Sequence, residues 1–128
     1  MIYLDSSVAL ATLLRADRRP PAEFWEQPRV SSRLLQYELW SRIHAYDLLR
    51  SHGAEASMFL SSVTFLELTP DVLARALEPF GKPVRTLDAL HLASMDFLRR
   101  HGEAVTLASY DERLVSAARQ LKFAIFEL

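Results

Sequence analysis

The hydrophobic residues of this 128-residue chain alternate between short solid runs and longer stretches with helical spacing. Short apolar runs are typical of strands that are covered on both faces. Five strand candidates occur, at residues 2–4, 29–31, 64–68, 104–108 and 123–126. Helices that connect parallel strands cross over with one handedness, and they therefore cover both faces of the sheet. The sequence predicts a single α/β domain over residues 1–128, a three-layer sandwich around a mainly parallel five-stranded sheet.

Composition limits the class of protein. Half of the residues are hydrophobic, which is enough for a sizeable core and excludes a disordered chain. Fifteen Lys and Arg stand against sixteen Asp and Glu, so the chain lacks the strong positive charge of a protein that coats nucleic acid. The absence of cysteine excludes disulfides and cysteine-bound zinc. No apolar run is long enough to cross a membrane and the first residues do not form a signal peptide, so a cytoplasmic protein is expected.

N-cap residues and the pattern of apolar residues predict several helices. Residues 8–14 are apolar all round, which predicts a helix buried near the centre of the fold. Ser32 is a candidate N-cap for a long helix that runs to about Arg50. A separate short helix is predicted over residues 55–62.

Four acidic residues stand where the predicted sheet would bring them together: Asp5, Glu38, Asp88 and Asp111. Asp5 and Asp111 follow the first and fourth strands, at the edge where open α/β sheets bind ligands. Glu38 and Asp88 lie on helices entered from that edge. Each acid has a structural alternative, a helix cap or first-turn position for the aspartates and a solvated helix face for Glu38. Their joint placement favours a site for a hard cation such as Mg²⁺, because every ligand would be an oxygen atom.

Four segments carry a resemblance to a known family: residues 1–7 (MIYLDSS), 35–39 (LQYEL), 87–93 (LDALHLA) and 109–114 (SYDERL). In this order and spacing, the chain resembles a PIN-domain ribonuclease of the VapC toxin type over essentially its whole length. The resemblance implies a sheet of strand order 3-2-1-4-5. It also implies a Mg²⁺- or Mn²⁺-dependent endoribonuclease that cleaves RNA with metal-activated water and leaves 3′-hydroxyl and 5′-phosphate ends.

The resemblance assigns roles by position. The residues that match the family's catalytic and metal-binding acids, three main ones and a fourth, are Asp5, Glu38, Asp88 and Asp111. Ser7 matches the hydroxyl that usually follows the first acid, and Ser109 stands where the family often has threonine. The stretch between residues 15 and 30 departs from the family, because relatives often carry a fuller helix there.

The resemblance also implies partners, namely an RNA substrate, a cognate antitoxin and a second copy of the chain in a homodimer. Arg15, Arg85 and Arg113 are candidate RNA-binding residues, since they stand near the acids in sequence and could contact phosphates. Six apolar residues are more than a chain of this size easily hides, and some of them are expected to line a groove for an antitoxin helix or a dimer mate: Ala9, Leu13, Leu14, Phe24, Trp25 and Trp40. No membrane partner is expected.

Two other α/β proteins are excluded by single residues. A haloacid-dehalogenase-like phosphatase needs a second aspartate two positions after Asp5, where Ser7 stands. A response-regulator receiver needs a lysine after its last strand, and Lys122 precedes it. The histidines lack zinc-helix spacing. His91 shares a helix face with Asp88 and is expected at the edge of the core, with a supporting role beside the site acids as the alternative. A PIN-like binding or regulatory module without nuclease activity stays open as the alternative.

Overall fold

The computed structural model describes residues 1–14 and 17–128, and it places five parallel strands of these residues in one sheet. The strands are β1 (Ile2–Leu4), β2 (Arg29–Ser32), β3 (Thr64–Leu66), β4 (Thr106–Ala108) and β5 (Ala124–Ile125). Their order is β3-β2-β1-β4-β5, with Ile2 paired to Arg29 on one side and to Thr106 on the other. The predicted α/β class and strand order are confirmed, and the strand order reverses beside the central β1.

Seven helices in the described part of the chain connect the strands. They are α1 (Ser6–Leu14), α2 (Ala22–Glu26), α3 (Leu34–Ala45), α4 (Leu49–Ser61), α5 (Pro70–Ala76), α6 (Thr86–Arg100) and α7 (Glu112–Gln120). The alternation of side chains along β1 divides the core into two clusters. Ile2 and Leu4 pack with residues of α1, α3 and α4, whereas Tyr3 packs with residues of α5, α6 and α7 on the opposite face. All three side chains are fully buried, so the sheet is covered on both faces as predicted.

The long helix predicted to run to about Arg50 is wrong at its end, because α3 and α4 are separate helices. The chain reverses at Asp47, whose φ of 54° lies in the left-handed region that aspartate tolerates better than most residues. The backbone N–H of Leu48 then donates to the carbonyl of Ile43 at 2.8 Å, which satisfies one free carbonyl at the helix end. As a result, α4 includes most of the predicted short helix and packs against α3.

The apolar residues predicted to line a partner groove do not all face outward. Ala9 and Phe24 are completely buried, so they are not among the residues that can line such a groove. Leu13 and Trp40 are partly buried against the same cluster, and Trp25 is 39% exposed. The reason is that α1 and α2 contribute apolar side chains to the core on one face of the sheet.

Within the described ranges, no helix has the length and apolar character needed to span a membrane.

Candidate active site

One cavity, of about 310 Å³, is lined by all four predicted acids, Asp5, Glu38, Asp88 and Asp111. Each acid comes from a different place in the fold. Asp5 follows β1, Glu38 lies within α3, Asp88 lies in the first turn of α6, and Asp111 directly precedes α7. Because β1 pairs with β4 in parallel, the loops after these two strands open on the same side of the sheet. The fold therefore brings the four side chains to one cleft, while their catalytic roles stay predictions.

Asp5 is the most deeply buried of the four acids, with 5% of its surface exposed. Burial raises the pKa of its carboxyl to about 6, against the opposing effects of a hydrogen bond from Ser7 and the nearby His91. Among residues 1–14 and 17–128, no lysine or arginine forms an ion pair with Asp5. A buried carboxylate without a cationic partner is a place where a bound cation would be strongly favoured.

Two serine hydroxyls tie together the loops that follow β1 and β4. Ser7 Oγ donates to Asp5 Oδ1 at 2.7 Å and accepts the backbone N–H of Tyr110 at 2.9 Å. Ser109 Oγ lies 3.4 Å from Ser7 Oγ and accepts the backbone N–H of Asp111 at 2.9 Å. These bonds orient Asp5 and the segment that leads into Asp111, while the supporting role of both serines in the reaction stays a prediction.

Glu38 forms a hydrogen bond through each of its two carboxylate oxygens. Its Oε1 lies 2.7 Å from His91 Nε2, and its Oε2 accepts from Ser6 Oγ at 3.2 Å. The Glu38 side chain is only 15% exposed, so the solvated-face alternative is wrong. Sequence reasoning did not assign Ser6 to the site. It gave a supporting role for His91 as the alternative to a place at the edge of the core, because His91 stands three residues after Asp88 and so shares its helix face.

Asp88 and Asp111 are joined by a single arginine. Arg85 Nη2 lies 2.9 Å from Asp88 Oδ2 and 2.6 Å from Asp111 Oδ2, and these two carboxylates raise the pKa of the guanidinium. The other oxygen of Asp111 accepts the backbone N–H of Arg113 at 2.9 Å and of Leu114 at 3.4 Å. Asp111 is therefore the N-cap of α7, as its structural alternative predicts, and it also lines the cavity.

The donor set of the cavity suits a hard divalent cation. Its acids supply only oxygen atoms, and Mg²⁺ commonly binds one or two carboxylates while it keeps several water molecules. In the part of the chain that the structure describes, no three Asp, Glu or His side chains converge closely enough to hold a metal ion by themselves. Asp5 has no cationic partner among residues 1–14 and 17–128. Asp5 and Glu38 therefore fit an ion completed by water, whereas Asp88 and Asp111 already share Arg85.

Two of the three arginines predicted to contact RNA lie at or beside the acidic cavity. Arg85 lines the acidic cavity, and together with Arg113 it lines an adjoining groove of about 610 Å³. Arg15 lies outside the described residues. The groove also contains Lys82, which sequence reasoning did not select and whose Nζ donates to Ser116 Oγ at 2.7 Å. Three basic side chains thus stand beside the acidic cavity.

Comparison with known proteins gives consistent likenesses in sequence and in fold. Ribonuclease VapC47 of Mycobacterium tuberculosis (strain CDC 1551 / Oshkosh) is 27% identical over 130 residues, which cover 96% of this chain and 93% of that protein. A chain of a toxin-antitoxin complex from Klebsiella pneumoniae has a TM-score of 0.70 at 13% identity, with 99% of this chain and 97% of that chain covered. Mycobacterium tuberculosis VapC20, described as a sarcin-ricin loop cleaving toxin, has a TM-score of 0.67 at 20% identity, with 91% and 95% covered.

The family model that matches the chain is that of the PIN domain, over residues 2–120. This range includes every strand except β5 and all four acids of the cavity. The likenesses to solved structures show that the fold is shared along nearly the whole chain. The chain belongs to the PIN-domain family.

Proposed function

We propose that this protein is a Mg²⁺-dependent endoribonuclease, with Mn²⁺ able to replace Mg²⁺, and that it acts in the cytoplasm as the toxin of a toxin–antitoxin pair. The observation that carries the proposal is the buried carboxylate of Asp5, which has no cationic partner among the described residues and lines a cavity with three further acids. Family membership and the likeness to Ribonuclease VapC47 support nuclease chemistry.

The chain's own residues divide into those that would hold a metal ion and those that orient them. A divalent cation, when bound, neutralises charge on the scissile phosphate and lowers the pKa of an attacking water. We assign its binding to Asp5 and Glu38, with Asp88 and Asp111 as the further carboxylates of the cavity. Because Ser7 donates to Asp5 at 2.7 Å, that carboxylate keeps one orientation and loses little conformational freedom when it binds a ligand.

We propose that the RNA backbone lies along the groove of Lys82, Arg85 and Arg113. Arg85 lines both this groove and the acidic cavity, so a phosphate held at Arg85 would lie beside the carboxylates. The Arg85 side chain is 54% exposed, and because its Nε and Nη2 bond to Asp88 and Asp111, we assign the phosphate contact to Nη1. The basic groove therefore supplies phosphate contacts to a chain whose net charge is only −1.

Replacing Arg113 with alanine should weaken RNA binding and make it less sensitive to salt. Loss of one phosphate contact lowers the slope of log affinity against log salt concentration by about 0.7 for a single strand. Fluorescence anisotropy with a labelled single-stranded RNA measures this slope, with Asp5→Asn in the background to prevent cleavage. Arg50→Ala on α4, outside the groove, is the matched control. Equal slopes for Arg113→Ala and Arg50→Ala would contradict the proposed path of the RNA.

Incubation of the purified protein with RNA tests the proposed activity directly. Cleavage is expected with Mg²⁺ or Mn²⁺ and not with EDTA, and sequencing of the fragments should show 5′-phosphate ends. Undiminished cleavage in EDTA would contradict the metal mechanism. RNA binding without cleavage under any of these conditions would support the binding module instead.

We further propose a cognate antitoxin as the protein partner and a homodimer as the state of the free toxin. The likeness to a chain from a toxin-antitoxin complex supports the antitoxin, and exposed apolar side chains such as Trp25, Met58 and Leu77 are available for contacts. Co-expression with the neighbouring gene should yield a stable complex with suppressed RNA cleavage. Light scattering that shows only monomer, together with recovery of no partner, would contradict both proposals.

A further inference from the structure

A line of hydrogen bonds runs from the sheet to Glu38 through two buried side chains. The backbone N–H of Ser32 donates to Tyr3 Oη at 3.2 Å. Tyr3 Oη lies 2.7 Å from His91 Nδ1, and His91 Nε2 lies 2.7 Å from Glu38 Oε1. Tyr3 is completely buried and His91 is 2% exposed, and their rings meet edge to face with centroids 5.7 Å apart. Both imidazole nitrogens therefore bond to protein atoms rather than to bulk water.

The positions of the protons follow from which atoms face each other. Tyr3 Oη accepts the Ser32 N–H, and its phenolic proton can be donated to His91 Nδ1, 2.7 Å away. If the ring proton sat on Nδ1, Nε2 would present a lone pair to a carboxylate oxygen 2.7 Å away, and the two acceptors would repel. The contact with Glu38 therefore requires a proton on His91 Nε2, which donates to Glu38 Oε1.

We propose that His91 and Tyr3 are positioning residues for Glu38. Tyr3 anchors the imidazole through Nδ1, and the Nε2–H of His91 donates to Glu38 Oε1, so that the carboxylate is held toward the cavity. The inference rests on the proposed function, in which Glu38 helps to bind the divalent cation. Glu38 reaches the cavity from within α3 on a side chain with several rotatable bonds, and ordering it costs conformational entropy that the two hydrogen bonds offset.

Two amide variants of His91 separate positioning from packing. Glutamine can place an N–H donor near the position of Nε2, whereas the shorter asparagine ends near Nδ1 and does not reach Glu38. We expect His91→Asn to lower Mn²⁺ affinity by roughly 10- to 100-fold, the range typical for lost partners of metal ligands, and His91→Gln to lower it by less than about threefold. Titration of Mn²⁺ followed by electron paramagnetic resonance measures the affinity without reference to RNA cleavage.

Two further variants accompany those of His91: Tyr3→Phe, which tests the other end of the line, and Val72→Ala, a control in the same core cluster. Tyr3→Phe keeps the ring in the core and removes the anchor at Nδ1 together with the acceptor of the Ser32 N–H, so it should lower Mn²⁺ affinity by roughly tenfold even if His91→Asn does not fold. Val72→Ala removes two methyl groups from the same cluster without touching a bond of the line, and it should leave Mn²⁺ affinity unchanged. Equal affinity in wild type, His91→Asn and Tyr3→Phe would overturn the positioning role.

The tautomer gives a readout that depends on neither metal nor RNA. Long-range proton–nitrogen correlation spectra of the wild-type protein should show a proton on His91 Nε2, assigned by loss of its signals in His91→Gln. A ring protonated on Nδ1 alone would overturn the inference. Failure of the wild type to bind Mn²⁺ and to cleave RNA would instead overturn the proposed function, and the positioning role with it.

Discussion

Replacement of Asp5 by asparagine should reduce metal-dependent RNA cleavage by roughly 100- to 1000-fold. Asparagine keeps the size of the side chain and its amide oxygen still accepts from Ser7, so the loop after β1 keeps its shape while the negative charge is lost. A metal ion contributes several kcal/mol to such a reaction, and about 1.4 kcal/mol is a factor of ten in rate. Initial rates on a labelled RNA over a range of Mg²⁺ concentrations measure the loss and separate weaker metal binding from a slower reaction.

Asp47→Asn is the matched control for this substitution. Asp47 is exposed and has a φ of 54°, a backbone conformation that asparagine tolerates as well as aspartate does. Its substitution makes the same chemical change far from the acidic cavity, so cleavage should be unaffected. If Asp5→Asn kept a rate close to that of Asp47→Asn, the buried carboxylate would not be part of the reaction.

Asp5→Asn should also change how the free energy of unfolding depends on pH in metal-free buffer. The pKa of Asp5 is about 6 in the folded protein, against about 3.9 for an unfolded chain. Between these values the folded state binds more protons than the unfolded state, so the wild type loses stability as pH rises from about 4 to above 6. A difference of about two pKa units corresponds to about 3 kcal/mol, and the asparagine variant should lack this loss.

Urea unfolding at a series of pH values from about 4 to 8 measures this effect. The difference between wild type and variant isolates Asp5, because groups that do not interact with it titrate alike in both proteins. Saturating Mg²⁺ should stabilise the wild type more than the variant, since a ligand at 100 times its dissociation constant adds about 2.7 kcal/mol to the native state that binds it. A difference that stays constant across the pH range would show that Asp5 titrates in the fold near its ordinary pKa.

Local patterns in the sequence were sufficient for the α/β class and for the placement of the acids. A strand covered on both faces must be apolar, and the residue after it lies at the edge of the sheet, so both properties can be read from consecutive residues. Asp5 and Asp111 were predicted at that edge for this reason, and the structure places both in one cavity. The strand order came from the resemblance to PIN-domain proteins, because a periodic pattern does not say which strands are neighbours.

Only the tertiary structure decided which partner each acid has. Arg85 bonds to Asp88 and also to Asp111, which is 26 residues after Arg85 in the sequence. Tyr3 bonds to His91, which is 88 residues after it. Such contacts depend on which helices pack against which face of the sheet and on the exclusion of water from the space between them, and neither is a property of a short segment. The sequence by itself determined where the carboxylates stand along the chain. Packing decided which of them are neutralised, which are oriented by hydrogen bonds, and which is buried without a cationic partner among the described residues.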